Sequence, residues 1–359
     1  MLQRNIIEDL GGTVIVKITK ARVLIAIVIM LTILYSVIGS DRKLVGTMNT
    51  AEGEKKFIKY VEFNVNYEAL DKALDFDIKS YNKDIKINWI DILSYLAAKY
   101  GGNFKKYKYK DMESLVKKLE TGSSIDELSK GMKLFCYYKE AYSAVLGGFV
   151  GKYKVQVPSG ENENKLIFQE KYGLKVFSPI AKTYPFHHYE DFGSSRSYGY
   201  SRPHLGHDLM AATGTPVVAV ESGRVECVGW NQYGGWRIGI RSFDKKRYYY
   251  YAHLRKNRPY HASIEVGKVV KAGDVIGYIG RTGYSKNENV NNIETSHLHL
   301  GLQLIFDESQ KECNNEIWIN LYSTIKILQK NRSKVKKNNE TKEYDREYDF
   351  WEESLQDAD

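Results

Sequence analysis

The 359-residue sequence predicts a mainly β domain, built on an antiparallel sheet, that is preceded by a transmembrane helix and a small mainly helical domain. Three observations predict this order. Residues 23–40 carry no charge, residues 57–150 place apolar residues at helical spacing, and β-branched runs separated by glycine follow residue 208. A hydrophobic content of 43% is ample for two modest cores beyond the membrane segment.

The uncharged segment at residues 23–40 is dominated by Val, Ile and Leu, and its length is near the minimum for crossing a bilayer. Basic residues precede it, so residues 1–22 are predicted to be a cytoplasmic tail and the rest of the chain to lie outside the cell membrane. These residues are Arg4, Lys17, Lys20 and Arg22. A cleaved signal peptide is the alternative, because Val37–Gly39 resembles a cleavage site. We favour an uncleaved single-pass anchor, because the uncharged stretch is longer than a usual signal core.

Residues 57–150 are predicted to form the helical domain, a spacer or a module that positions the domain after it. Asn88 is a candidate N-cap for a helix that carries several large apolar residues on one face and ends at a pair of glycines. Asp111 is a candidate cap for a further helix. Ser124 and Glu127 have the spacing of a capping box.

From about residue 151 the pattern changes to strands, and the β domain is assigned to residues 175–325. Short β-branched runs with intervening glycines predict an antiparallel sheet with tight turns. The predicted strands are 152–157, 217–220, 223–228, 237–242, 247–252 and 275–279. Residues 331–359 are basic, then acidic, and poor in apolar residues, which predicts a mostly disordered charged tail.

Two short histidine clusters, far apart in the chain, have the spacing of metal ligands. His204 and Asp208 are four residues apart and share a face in either a helix or a strand, whereas His297 and His299 share a face only in a strand. The alternating sequence at 296–304 predicts that strand. Two histidines and one carboxylate from these clusters leave the fourth position of a tetrahedral zinc ion open for water, which is typical of catalytic zinc sites.

Further motifs lie between the two histidine clusters. Ala219–Val225 follows the HxxxD motif, then comes Tyr251–Leu254, with the sequence Tyr-Ala-His-Leu, and then the glycine-rich segment Val266–Gly283. In this order, and ending in His-Leu-His, the motifs resemble the lysostaphin-type, LytM-domain zinc endopeptidases of peptidoglycan. The resemblance covers roughly residues 195–325.

This resemblance implies one zinc ion held by His204, Asp208 and His299, with His253 and His297 as the two catalytic histidines. In such a site zinc polarises the scissile carbonyl and lowers the pKa of its bound water. The remaining tasks are proton transfer and stabilisation of the oxyanion, which imidazoles perform near pH 7. The sequence leaves the roles of the two catalytic histidines interchangeable.

The remaining histidines are predicted to lie outside the site. His207 stands at an odd offset from the first ligand histidine, which predicts a supporting or packing role. His187, His188 and His261 are predicted to be surface or loop residues. A polar loop, Tyr284–Ser296, is longer than its counterpart in the similar family, and it is predicted to border the site, where it can contact the stem peptide or the glycan.

Charge and cysteine content exclude other classes of function. The net charge of +9 suits a protein among anionic wall polymers and lipid head groups, and no nucleic-acid motif is present, so no nucleic-acid partner is predicted. Cys136, Cys227 and Cys313 have no CxxC spacing and are interpreted as buried small residues. A papain-like cysteine hydrolase is a third alternative, but none of the cysteines lies in a recognisable nucleophile motif.

The sequence therefore predicts a membrane-anchored zinc metalloendopeptidase, with its catalytic domain extracytoplasmic, that hydrolyses stem peptides or cross-bridges of peptidoglycan during wall remodelling. A division or sporulation protein is a predicted further partner. The alternative is a noncatalytic wall-binding or scaffold protein with the same fold. The complete set of ligand residues argues against that alternative.

Overall fold

The computed structural model describes residues 57–160, 162–311 and 315–356. The predicted cytoplasmic tail at 1–22 and the predicted anchor at 23–40 lie outside the described residues. Within the described ranges, no helix combines the length and the apolar character needed to cross a bilayer.

Five of the helices in the described chain lie before residue 150, as the sequence predicts. They are α1 (Tyr67–Ser80), α2 (Trp89–Tyr100), α3 (Tyr109–Glu120), α4 (Ile125–Leu128) and α5 (Phe135–Leu146), and a later one is α6 (Tyr322–Leu328). Asn88 caps α2 by accepting hydrogen bonds from the amides of Ile90 and Asp91. Gly101 ends the helix with φ 62°, a left-handed conformation that glycine adopts without strain. Ser124 and Glu127 form the predicted capping box at α4.

The predicted cap at Asp111 is wrong. The helix α3 begins after Lys108, whose side chain makes no capping hydrogen bond, and Asp111 lies inside the first turn. Its carboxylate is instead bound by Lys99 Nζ at 2.8 Å and by the Tyr100 hydroxyl at 2.7 Å. These two contacts link α3 to the end of α2, and they explain why the side chain is not free to cap its own helix.

The β-strands follow α5. They are β1 (Val150–Ser159), β2 (Asn162–Leu174), β3 (His187–His188), β4 (Ser195–Tyr198), β5 (Tyr200–Pro203), β6 (His207–Met210), β7 (Pro216–Val218), β8 (Gly223–Asn231), β9 (Gly235–Ser242), β10 (Arg247–Ala252), β11 (Val269–Val270), β12 (Val275–Tyr278), β13 (His297–Leu304), β14 (Ile317–Trp318), β15 (Val335–Lys337), β16 (Tyr344–Arg346) and β17 (Phe350–Trp351). The largest sheet is antiparallel, in the order β11-β8-β9-β10-β13-β6-β3, with β14 also paired to β13. This confirms the predicted mainly β, antiparallel architecture.

The central strand β13 has one apolar face and one polar face. Its four leucines point to the core and are almost fully buried, each contributing about 1.5–3 kcal/mol to folding by leaving water. The alternate residues, among them His297 and His299, face a cleft on the other side. The neighbouring strand β10 alternates in the same way, since Tyr249 and Tyr251 are core residues and Tyr250 lines the cleft.

A tight turn joins β8 to β9 on the cleft side of the sheet. Gly235 has φ 64° at this turn, and a Cβ at that position would lie 2.3 Å from the carbonyl carbon of Thr282. A side chain is therefore excluded both by the backbone conformation and by space. This close approach brings the glycine-rich segment after β12 against the turn and shapes one wall of the cleft.

The helices are not an independent spacer. Residues Ile58–Asp359 form one compact unit, and α-helical and β-sheet residues share one hydrophobic core. Arg247 on β10 is buried and forms two hydrogen bonds to Glu221, at 2.8 and 3.0 Å, and a third, at 2.7 Å, to the carbonyl of Ala144 near the end of α5. This paired charge joins the sheet to the helices, so residues 57–150 do not form the separate domain that the sequence predicts.

The prediction of a disordered tail is wrong for residues 331–356. Phe350 on β17 is fully buried, its ring lies 5.7 Å from that of Phe177, and β17 pairs with β1. Charged residues of the tail form ion pairs with the rest of the domain. For example, Arg346 Nη1 lies 3.1 Å from Asp274 Oδ1. One buried aromatic residue and several such ion pairs order a segment whose composition alone predicts disorder.

Candidate active site

Neighbouring strands of the central sheet carry the candidate ligands. Asp208 on β6 stands directly opposite His299 on β13 in the antiparallel register. His204 precedes β6 in an irregular segment, and His253 directly follows β10, which pairs with the other edge of β13. The predicted strand at His297–Leu304 is confirmed, and it places both of its histidines on the cleft face.

Three ligand atoms converge at one point of this cleft. Asp208 Oδ1 lies 3.0 Å from His204 Nε2 and 3.1 Å from His299 Nδ1, and the two nitrogens are 2.9 Å apart. Ligand atoms around a tetrahedral zinc ion are separated by about 3.4 Å when the metal–ligand bonds are about 2.0–2.1 Å. The spacing and the two-nitrogen, one-oxygen donor set therefore fit a single small divalent cation.

Asp191 and Arg196 support these ligands from behind. His204 Nδ1 lies 3.1 Å from the backbone carbonyl oxygen of Asp191 and 3.3 Å from its carboxylate, so Nδ1 donates to Asp191 and Nε2 is the nitrogen placed to bind a metal. Arg196 Nη2 donates to the carboxylate of Asp191 at 3.0 Å and to Oδ2 of Asp208 at 3.1 Å. The guanidinium thereby leaves Oδ1 of Asp208 as the oxygen that faces the cleft.

The electrostatics of the cluster favour an ionised aspartate. Burial acts to raise the pKa of Asp208, but hydrogen bonds from His204 and His299 outweigh it and hold this pKa well below its usual range. Burial opposes the charge of His204 as well, yet its contacts with Asp191 and Asp208 raise the pKa of His204 to about 9. Burial is the main cause that lowers the pKa of His299. Without a metal, the three ligands are therefore held together by a shared hydrogen-bond network.

His253 and His297 lie beside this cluster, with ring centroids 4.8 Å apart. The Nδ1 atom of His253 is 2.9 Å from the carbonyl oxygen of Thr282, and that of His297 is 2.8 Å from the carbonyl oxygen of Thr295. Each carbonyl can only accept, so each Nδ1 donates and each Nε2 is left with a lone pair. His297 Nε2 is 3.7 Å from Asp208 Oδ1, which places it next to the ligand atoms.

The backbone of His253 adopts a conformation that is uncommon for a side-chain-bearing residue. Its φ is 61°, in the left-handed region, and its amide donates to the carbonyl of Gly234 at 2.7 Å. Such conformations cost about 1–3 kcal/mol and are concentrated at functional sites, where the surrounding structure enforces them. Burial, followed by the charge of His297, lowers the pKa of His253 well below its usual range.

The cluster lies in a cleft of about 840 Å³ with aromatic walls. The hairpin β4–β5 contributes Tyr200 and Arg202 to one wall, and Tyr284 stacks on Tyr198 of the same hairpin with ring centroids 5.1 Å apart. Several residues of the long loop Tyr284–Ser296 line the cleft, as predicted. Aromatic faces and an open groove suit an extended peptide better than a small, fully enclosed ligand.

The other histidines are placed as follows. His207 is buried, and its Nε2 lies 2.8 Å from His188 Nδ1, which fits the predicted supporting or packing role. The surface or loop prediction is wrong for His188, because it lies on β3, is half-buried and contacts Tyr322 of α6. His187 is exposed, and His261 is bonded to Ser263 at 2.7 Å, away from the cleft.

The structure corrects the interpretation of the cysteines. Cys136 is exposed on α5, and Cys227 on β8 is half-buried, so neither is the buried small residue that the sequence predicts. Neither lines the cleft, whereas Cys313 lies outside the described residues. The structure therefore gives no support to a cysteine nucleophile at this site.

Sequence reasoning did not identify Asp191 and Arg196 as functional residues. The only sequence signal is their place in a glycine-rich, aromatic segment before His204. Their contacts with the ligands depend on the fold of that segment. A polar pair within thirteen residues of a ligand histidine gives no distinctive pattern.

Comparison with known proteins places this region among peptidases. Residues 202–312 match peptidase family M23. The L-Ala--D-Glu endopeptidase of Bacillus subtilis is 38% identical over 124 residues, which are 34% of this chain and 36% of that protein. Lysostaphin of Staphylococcus simulans is 42% identical over 83 residues, which are 23% of this chain and 16% of that protein. The chain thus spans about a third or less of the length of these relatives.

A solved structure resembles more of the chain. The crystal structure of LytM from Ruminococcus gnavus, described as a candidate glycyl-glycine endopeptidase, covers 81% of this chain and 96% of its own, with a TM-score of 0.52 and 22% identity. At this level of identity, the similarity shows a shared fold. The similar part of the chain includes helices as well as the sheet. Residues 202–312 thus form a region that matches peptidase family M23, and this region contains the converged His-Asp-His cluster.

Proposed function

We propose that this protein is a zinc metalloendopeptidase that hydrolyses peptide bonds of peptidoglycan, in stem peptides or cross-bridges. One observation carries the proposal, the convergence of three ligand atoms within about 3 Å beside two further histidines on the floor of a peptide-sized cleft. The Bacillus subtilis relative is an L-Ala--D-Glu endopeptidase, which supports a peptide bond as the target.

The proposed zinc ligands are His204, Asp208 and His299. Two imidazoles and one carboxylate are the donor set of hydrolytic zinc sites, which keep one position for water or substrate. Zinc bound there supplies a Lewis acid for the scissile carbonyl and a water of lowered pKa. The polypeptide holds this donor set ready, because Arg196 and Asp191 fix the orientation of two of the three ligands.

The proposed catalytic residues are His253 and His297. Both present Nε2 with a free lone pair, because backbone carbonyls fix their Nδ1 hydrogens. One imidazole therefore accepts the proton of the attacking water, and the other, once protonated, hydrogen-bonds to the oxyanion or protonates the leaving amine. The near symmetry of the two rings keeps these roles interchangeable. The aromatic walls of the cleft hold the peptide chain over the two rings.

The same proposal places the protein in the cell membrane, with its catalytic domain extracytoplasmic. The support is the uncharged segment at 23–40 and the basic residues before it. A membrane location brings the cleft close to newly made wall. Membrane fractionation, with protease accessibility of the catalytic domain on intact wall-free cells, tests this part, and a protein released into the medium would contradict the anchor.

The test of the enzymatic proposal uses the full-length chain loaded with zinc and incubated with purified peptidoglycan. Mass spectrometry of the released fragments identifies the bond that is cleaved. His299→Ala should lose both zinc and activity, whereas His253→Ala and His297→Ala should keep zinc and lose about 10²–10⁴-fold in rate. His261→Ala is the matched control, because this histidine lies away from the cleft, and it should keep both.

The alternative, a noncatalytic wall-binding or scaffold protein, predicts a different outcome. Zinc-loaded protein would then bind walls without releasing fragments, and His297→Ala would bind them equally well. Fragment release that resists removal of zinc by a chelator would contradict the metal-dependent proposal. A division or sporulation partner stays a prediction, because the structure contains no second chain.

A further inference from the structure

Two arginines of the cleft have no acidic partner among the described residues. Arg202 on β5 and Arg237 on β9 both line the cleft, and neither forms an ion pair in the described parts of the chain. The other cations of the cleft are paired, since Arg196 binds two aspartates and Lys311 forms an ion pair with Glu226. The two arginines therefore differ from their neighbours in keeping their charge uncompensated.

Aromatic rings, and not carboxylates, hold the Arg202 guanidinium. Its central carbon lies 4.7 Å from the ring centroid of Tyr233 and 5.6 Å from that of Tyr284. The ring of Tyr284 is in turn 6.0 Å from that of His253. Cation–π contacts of this kind orient the planar group but leave its N–H donors free for a ligand.

Arg237 is placed in a comparable way next to a different histidine. Its guanidinium lies 5.9 Å from the ring centroid of Tyr250, and that ring is 5.9 Å from His299. Burial raises the pKa of the Tyr250 hydroxyl, and the charges of both Arg237 and Arg202 act against that rise. Both guanidinium groups are thus one aromatic ring away from the candidate active site.

Both arginines also carry a polar atom that lacks a partner. The Nε atoms of Arg202 and Arg237 are buried and make no hydrogen bond among the described residues. A carboxylate that enters the cleft can instead bind the terminal nitrogens of either guanidinium group through two parallel hydrogen bonds. The acids in the cleft do not provide it, since Glu316 accepts from Trp318 Nε1 at 2.7 Å and Glu294 is exposed.

We infer that this cleft recognises an acidic peptide, in which a free carboxylate close to the scissile bond binds Arg202 or Arg237. The inference rests on the proposed function and names the substrate class of the same site. An acidic stem peptide fits this description, whereas a glycine cross-bridge brings no side-chain carboxylate and would leave both guanidinium groups unpaired.

The test compares two labelled L-Ala–D-Glu–L-Lys peptides that differ in one group, the free carboxylate of D-Glu or the corresponding carboxamide. Both carry an N-methyl group on the amide between Ala and D-Glu, which blocks cleavage, and fluorescence anisotropy measures their binding to the zinc-loaded full-length chain. The carboxylate peptide should bind about 10- to 100-fold more tightly than the carboxamide, the usual range for a charge-assisted hydrogen bond. Labelled pentaglycine should bind no better than the carboxamide.

Variants separate recognition by arginine from recognition by the metal. In at least one of Arg202→Gln and Arg237→Gln, the preference for the carboxylate should shrink to less than about threefold, while carboxamide binding is unchanged. The lysine variant at the same position should recover part of the preference, because it restores the charge but not the fork. Arg224→Gln is the matched control, since Arg224 is exposed on β8 outside the cleft, and it should keep the full preference.

Two results overturn the inference. One is equal affinity of the unmodified protein for carboxylate and carboxamide peptides, and the other is a preference that survives in both glutamine variants. The unmethylated peptides then test the proposed function separately. If the carboxylate preference is present but neither unmethylated peptide nor whole peptidoglycan is cut, the proposed function fails while the inference about ligand class stands.

Discussion

Asp191 offers the sharpest test of how the proposed zinc ligands are held, because its carboxylate contacts the ligand His204 but is not itself a proposed ligand. Its carboxylate lies 3.3 Å from His204 Nδ1 and accepts a hydrogen bond from Arg196 at 3.0 Å. Asp191→Ala removes both contacts while keeping the backbone carbonyl that also faces Nδ1, at 3.1 Å. The imidazole then keeps one of its two orienting partners.

The expected effect is a weaker affinity for zinc. Asp191 also helps to raise the pKa of His204, so its loss eases competition from that proton, and the two proteins are compared near pH 9, where this competition is small. Loss of a carboxylate behind a ligand histidine typically lowers metal affinity 10- to 100-fold, equivalent to about 1.4–2.7 kcal/mol. The charge of Arg196, no longer balanced by Asp191, would further disfavour a cation nearby. Because the backbone contact persists, we expect the lower end of this range, about 10-fold.

Competition with a chromophoric chelator measures the zinc affinity of the two proteins. Asp345→Ala is the matched control, because its carboxylate also lies 3.3 Å from a histidine nitrogen, that of His261, but outside the cleft. Thermal unfolding of the metal-free proteins shows whether folding is intact. A zinc affinity of Asp191→Ala within twofold of the unmodified protein, with normal folding, would refute the supporting role.

Three further predictions concern folding, packing and pH. Arg247→Met should lower the free energy of unfolding by about 3–5 kcal/mol, because it leaves the buried carboxylate of Glu221 unpaired. Arg241→Met should cost about 1 kcal/mol, since its nearer acid partner, Glu308, is 70% exposed and the other, Glu226, is 4.0 Å away. Equal losses in urea denaturation would contradict this. Gly206→Ala should displace His299, as its Cβ would lie 2.3 Å from the ring, and should weaken zinc binding at least 10-fold in the same competition assay. Without metal the pKa of His204 is raised to about 9, so zinc must displace a proton from this histidine at pH 7, and the affinity for zinc should increase with pH up to about 9. Calorimetry in buffers of different ionisation enthalpy should detect this proton release. Its absence would be inconsistent with His204 as a zinc ligand.

The sequence predicted the local geometry of the site because that geometry repeats along the chain. A strand period of two places His297 and His299 on one face, and the structure has them there. The meeting of Asp208 with His299 could not be predicted in this way. These residues are 91 positions apart, and only the pairing of β6 with β13 sets them opposite each other.

The same distinction between local and long-range contacts explains the errors outside the site. The caps at Asn88 and Ser124 were predictable, because each binds amides within three residues. The docking of the helices on the sheet depends on Arg247 reaching Ala144, 103 residues away, and the order of the tail depends on Phe350 reaching a distant core. Composition and periodicity carry no information about such pairs.

The chemistry and the substrate choice of this cleft rest on different parts of the fold. Asp208 and His299 lie on paired central strands, where hydrogen bonds on both sides restrain the backbone and so keep ligand atoms at fixed separations. The walls come from the β4–β5 hairpin and the loop Tyr284–Ser296, which are held to each other mainly by tyrosine stacking and by Arg202 over two rings. Replacing wall residues can therefore alter which peptide binds without moving the metal ligands. This separation is why Arg202 bears on the substrate class, whereas the aspartate and histidines bear on the reaction.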